Sequence, residues 1–120
     1  MILFSAAEVA AAFARGAVLL DGEGRRFQVH AGRREAPGEA EVHAEDTDIF
    51  HVLAGAATIA TGGTVVDARE VAPGEVRGRA LAGCEARRLA AGDVIVIPAG
   101  TPHQFTAVEA TLTYFVVKSR

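Results

Sequence analysis

Apolar positions fall into three patterns along the chain. Near the start, Val9 and Phe13 lie four residues apart and share one face of a helix. Ser5 and Glu8 stand at capping-box spacing before them, and Gly16 supplies a stop. A short helix packed on the outside of a sheet is predicted. The second pattern is alternation: Phe27 and Val29 against Gln28 and His30 mark a strand over residues 26–31. Its polar side faces either solvent or a barrel interior. A partner strand over 17–20 precedes it across the turn at Asp21–Gly24. Further strands are predicted around Glu41 and His43, over 49–53 and 56–60 on either side of Gly55, over 75–81 and over 111–117. The third pattern is the unbroken β-branched run Val94–Ile97, read as a strand buried on both faces. Gly92 and Asp93 open it, and Pro98, Gly100 and Pro102 close it. Many short strands with glycine turns point to an all-β sandwich or barrel.

Composition narrows the class. Half of the residues are hydrophobic and 22% are charged, a balance suited to burying a core, and 120 residues make one domain, 1–120. With a formal charge of −3 and no dominant basic face, a nucleic-acid partner has no electrostatic support. Cys84 is the sole cysteine, so no intrachain disulfide forms and a reducing compartment is permitted. The N-terminus lacks a basic leader segment, and Glu8 and Arg15 interrupt its alanine-rich run. Neither a signal peptide nor a membrane span is expected, which leaves the cytoplasm as the default location.

Chemistry concentrates in two stretches. Glu41 and His43 are two apart and share a strand face, and Asp48 follows a short polar loop in which Glu45 and Asp46 read as solvated. Downstream, His103 follows the rigid turn after Ile97. Taken singly, Glu41 is more often a solvated strand carboxylate, and His103 a half-buried histidine satisfying a carbonyl. Taken together, the stretches resemble the cupin family. The later one fits G-x5-P-x-G-x2-H-x3-N from Gly92 through Pro98 and Gly100 to His103, with Ala107 where Asn is usual. The earlier one fits H-x-H-x4-E-x6-G when set on Gly55, with Asp48 at the acidic position, His43 at the second histidine and Glu41 replacing the first; Gly62 fits the glycine further on.

The resemblance implies a small antiparallel jelly-roll β-barrel with a divalent transition metal, Fe, Mn, Ni or Zn, in its mouth. Glu41, His43, Asp48 and His103 would converge there, two imidazoles and two carboxylates. Glu41 would either ligate or act as general base, with burial favouring a raised pKa. His51, three after Asp48, falls on the opposite strand face and reads as packing; a His43/His51/His103 site requires a bulge. Gln28 and His30 are candidate polar lining, Phe105 an apolar wall, and Tyr114 a wall or a dimer contact. Arg77, alternating with Val76 and paired in pattern with Arg79, reads more often as a charged edge that discourages aggregation. Turned inward, it would clamp a substrate carboxylate or phosphate. Cys84 is incidental. The expected function is a metal-dependent enzyme of dioxygenase, isomerase or lyase type acting on a small polar molecule. The alternatives are a non-catalytic binding or sensing module, or a metal-free structural barrel. Two carboxylates would neutralise a dication and weaken it as a Lewis acid, which disfavours hydrolysis. Phe115 and Val117 make a homodimer plausible, and residues 63–91, linking the motifs, are the expected place of substrate choice.

Overall fold

The computed structural model describes residues 1–120. In chain order the elements are α1 (Ala6–Arg15), β1 (Ala17–Leu20), β2 (Phe27–Arg34), β3 (Ala40–His43), β4 (Thr47–Thr61) and β5 (Thr64–Val66). There follow β6 (Arg69–Ala72), β7 (Glu75–Gly78), β8 (Ala80–Ala82), β9 (Glu85–Ala90), β10 (Val94–Ile97) and β11 (His103–Ser119). Every strand pairing is antiparallel.

Ser5 caps α1 with both halves of a capping box, its hydroxyl accepting from the Glu8 amide at 3.1 Å. The helix lies against β1 and β2, and the Phe13 ring meets Phe115 edge-on at 4.9 Å. Phe115, one of the residues on which a dimer is expected, is thereby half-buried from within the chain. No helix is long and apolar enough to cross a membrane.

The organising pair is β4 and β11. The start of β11 pairs with the end of β4 (Phe105↔Ile59), and its end with the start of β4 (Lys118↔Asp48). Both strands bend at the same level, β4 at Gly55 (φ 77°) and β11 at Ala110 (φ 55°), where the register between them slips. The bend also switches which side chains face inward. On β4 the buried residues are Asp48, Phe50 and Val52 before Gly55, and Ala56, Ala57, Ile59 and Ala60 after it, of which Ala57 and Ile59 join the core cluster. On β11 they are His103 and Phe105, then Leu112, Tyr114 and Val116. The strands therefore curl the sheet around one core, in which Ile59, Leu112 and Val52 are fully buried. β11 also pairs with β2 and, at His103↔Glu41, with β3.

Three expectations need correction. The run Val94–Ile97 is a strand, but it hydrogen-bonds only β4 and is covered on one face: Val94 and Val96 are 62% and 56% exposed, while Ile97 is buried. A β-branched run records strand preference, and whether a second layer covers its outer face is decided elsewhere. Residues 49–53 and 56–60 belong to one continuous strand, because Gly55 bends the chain without breaking the ladder. The expected strand over 75–81 divides into β7 and β8 at Arg79.

Candidate metal centre

Four side chains meet inside the curled sheet, each delivered by a strand. Glu41 and His43 come from β3, Asp48 from the start of β4 and His103 from the first residue of β11. All are largely withdrawn from water, with side chains 17%, 7%, 2% and 4% exposed in that order. His43 Nε2 is 3.4 Å from both Glu41 Oε2 and Asp48 Oδ2, and His103 Nε2 is 3.6 Å from the same two oxygens. Donor atoms of Glu41, His43 and His103 all lie within 4.8 Å of one another.

The far atom of each residue is held from behind. His43 Nδ1 donates to the Glu75 carboxylate, and His103 Nδ1 donates to the Thr101 carbonyl at 3.0 Å. Arg77 donates to Glu41 Oε1, and Lys118 Nζ donates to Asp48 Oδ1 at 2.9 Å. With each Nδ1 carrying the ring proton, each Nε2 presents a lone pair. Two imidazole lone pairs and one oxygen of each carboxylate thus face one another, with Lys118 Nζ 3.4 Å from His43 Nε2. Like-signed dipoles at such a separation repel unless a cation lies between them. His103 Nε2 is buried with no hydrogen-bond partner. Imidazole nitrogens and carboxylate oxygens 3.4–3.6 Å apart suit ligands of one divalent metal. Outer partners that fix the ring and carboxylate orientations are the usual companions of metal ligands. The residues fit a divalent transition metal.

Charge distribution follows the same arrangement. Burial pushes the Glu41 carboxyl up, but His103, His43 and the Arg77 guanidinium overcome it and hold it well below the usual carboxylate range. The expected raised pKa is thereby reversed, because burial here comes with three positive or donating neighbours. His43 moves the other way. Burial lowers it, Glu41 and Glu75 more than compensate, and its pKa lies above the ordinary 6.5.

The centre lies in a cavity of about 630 Å³. Phe105, Gln28, Arg77 and Tyr114 all line it, as does His30. Gln28 Oε1 is 2.9 Å from His30 Nε2, and burial with the nearby Lys118 charge lowers the His30 pKa. Arg77 faces inward onto Glu41, contrary to the edge reading, while Arg79 is exposed and pairs with Asp67 at 2.8 Å. Tyr114 is 7% exposed and belongs to the core and cavity wall. His51 is exposed on the opposite face of β4, so it takes no part in the cluster. Glu45 is exposed as expected, but Asp46 is 5% exposed, its carboxylate held by Arg120 at 2.9 Å.

Sequence reasoning missed Glu75 and Lys118. Both stand directly across the ladder from a candidate ligand: His43↔Glu75 and Asp48↔Lys118, with Glu41↔Arg77 alongside. Lys118 left one trace, being the only lysine in the chain.

No protein-family model matches the sequence, and no curated relative matches it. Among solved structures, the DMSP lyase DddQ from Ruegeria pomeroyi DSS-3 superposes with a TM-score of 0.61 at 18% identity, over 88% of this chain and 46% of its own. KdgF from a Halomonas species gives 0.55 at 23% identity over 78% of this chain and 69% of its own. The Cnp3 cupin domain of Schizosaccharomyces pombe gives 0.61 at 13% identity over 87% and 59%. This chain therefore spans about half the length of the lyase, 46%. What these proteins share with it is architecture, and the curled antiparallel sheet described above is a cupin fold.

Proposed function

We propose that the chain is a metal-dependent enzyme that holds one divalent transition metal through Glu41, His43, Asp48 and His103 and acts on a small polar molecule in the barrel. The observation that carries this reading is the orphaned, buried Nε2 of His103, facing three further donors that are each fixed from behind. Lyase, isomerase and oxygenase chemistry suit the site better than hydrolysis, since two carboxylates neutralise a dication and moderate its acidity. The neighbour DddQ is described as a lyase, which favours the same side.

A bound metal would supply polarisation of a substrate oxygen. The chain's own residues do the rest. Glu75 and the Thr101 carbonyl hold the two imidazoles in the Nδ1–H tautomer, and Arg77 and Lys118 aim one oxygen of each carboxylate inward. The low pKa of Glu41 keeps it ionised, which suits a ligand and not a proton shuttle poised near neutrality. Phe50 and Phe105, stacked at 5.8 Å, exclude water from the wall beside His103.

Elemental analysis of protein purified without an affinity tag or added metal tests the reading, with His103→Ala alongside. The expected result is about one equivalent of a transition metal, lost in the variant. Protein that carries none and takes up none of Fe(II), Mn(II), Ni(II) or Zn(II) would sink it. Uptake should also depend on pH. Protons compete for His43, whose pKa is raised, so affinity falls as pH drops and starts to fall at a higher pH than for an ordinary histidine. Competitive metal titrations across neutral pH check this; a flat profile there would count against His43 as a ligand.

A further inference from the structure

Only two side-chain polar atoms are buried without a hydrogen-bond partner, His103 Nε2 and Arg34 Nε. The first belongs to the metal centre. The second lies elsewhere on the same cavity wall and has no part in that site.

Arg34 is the last residue of β2, on the inward face shared by Gln28, His30 and Gly32. Its guanidinium lies over the Phe105 ring, 5.0 Å from the centroid. The opposite support is Gly38, where a Cβ would stand 2.4 Å from Arg34 Nη1 and 3.0 Å from Cζ. Gly38 is thus the residue that leaves space for the guanidinium, and its amide is tied to the Phe105 carbonyl at 3.1 Å. Tyr114 lies beside it, its ring seated flat on Gly32, where a Cβ would meet Cζ at 2.7 Å. The planar group is held between fixed surfaces and faces the cavity.

What it lacks is a counter-ion. Arg25, Arg33, Arg69, Arg77, Arg79, Arg87, Arg88 and Arg120 all pair with a carboxylate. Arg15, Arg26 and Arg34 pair with none; Arg15 and Arg26 are exposed, and Arg34 alone of the three is half-buried. A partly desolvated, unpaired guanidinium is costly, and a fork held rigid against an aromatic face matches a carboxylate bidentately. The acids lining the cavity, Glu41, Asp46, Asp48 and Glu75, are each committed to the metal cluster or to Arg120. The cavity is therefore bipolar, with a cation site at one place, an anion site at another, and the Phe50–Phe105 stack between His103 and Arg34.

From this arrangement we infer that Arg34 anchors a carboxylate of the substrate, so that the molecule handled in the barrel is a small organic acid. The inference rests on the reading that the cavity is the substrate site. It also comes with a built-in reporter: Tyr114 is the only tyrosine and there is no tryptophan, so the intrinsic emission of the chain comes from beside Arg34.

The experiment titrates metal-free and metal-loaded protein with propionate, pyruvate and succinate, each paired with its neutral amide, and with inorganic phosphate, following Tyr114 emission. At least one carboxylate should perturb the emission saturably, its amide binding at least tenfold more weakly. Arg34→Gln should remove that preference while leaving metal content unchanged. Carboxylates and amides that behave alike, or an Arg34→Gln protein that keeps the preference, would overturn the inference. Phosphate binding more tightly than every carboxylate would overturn the assignment of class. Should Arg34→Gln fail to fold, the comparison of acid with amide in the parent chain decides alone. A parent chain that discriminates acids but takes up no metal would leave this inference standing and sink the metal reading; metal uptake without discrimination would do the converse.

Discussion

Lys118→Met, prepared free of metal, is expected to melt well below the parent chain and to recover most of the difference when a divalent metal is added. The ammonium of Lys118 is 2.9 Å from Asp48 Oδ1, with the two side chains 16% and 2% exposed. Removing one member of a buried pair leaves the other charge uncompensated, at a cost of about 3 kcal/mol for a pair as partly exposed as this one. In a chain of this size that is a fall in Tm on the order of 10 °C. A metal facing Asp48 Oδ2 supplies the missing positive charge, so loading should stabilise the variant by more than it stabilises the parent. For the parent, saturation at a hundred times Kd contributes about 2.7 kcal/mol. Melting curves of both proteins, with and without metal, form the necessary cycle. If the loss in the variant is the same in both states, Lys118 acts through packing alone and Asp48 does not sense the metal.

Gly55→Ala is expected to cost about 3 kcal/mol, against about 1 kcal/mol for Gly62→Ala. Both glycines have left-handed φ, 77° and 81°, so an alanine at either meets the same backbone penalty. They differ in surroundings. A Cβ at Gly55 would stand 2.4 Å from the Thr111 carbonyl oxygen, whereas one at Gly62 would have no atom within 4 Å. Relief at Gly55 requires β4 and β11 to separate at their shared bend, where the two halves of the core join. Denaturant unfolding of the two variants measures the difference. Equal losses would mean that the close approach at the bend contributes nothing.

Signals contained within one segment were readable in advance. The capping box and Gly16 bound α1 to within a residue, and turn residues located most of the strands. The resemblance of two stretches to the cupin motifs nominated Glu41, His43, Asp48 and His103, four residues that the fold brings together. Signals between segments were not readable. Glu75 and Lys118 matter because of the residues opposite them, and nothing within β7 or β11 states which strand will lie alongside. Arg77 turned inward for the same reason: its neighbour across the ladder is Glu41. Arg34 is distinguished only by the partners it lacks, a property that exists once every other pairing is made. Asp46 appeared solvated because its loop is polar, and it is buried because Arg120 returns from the far end of the chain to hold it.

The ladder that joins β3, β4 and β11 has a bearing on how the chain acquires its shape. Glu41, Asp48 and His103 meet only after β11, the last strand, has docked across the whole molecule. A chain dominated by such distant pairings folds slowly, because closure entropy is spent before the contacts form. The donors are too scattered in the unfolded chain to capture an ion together, so a metal would join after the rate-limiting step. Its influence then falls on escape from the native state: it would lengthen the life of the folded barrel while leaving the time taken to reach it unchanged.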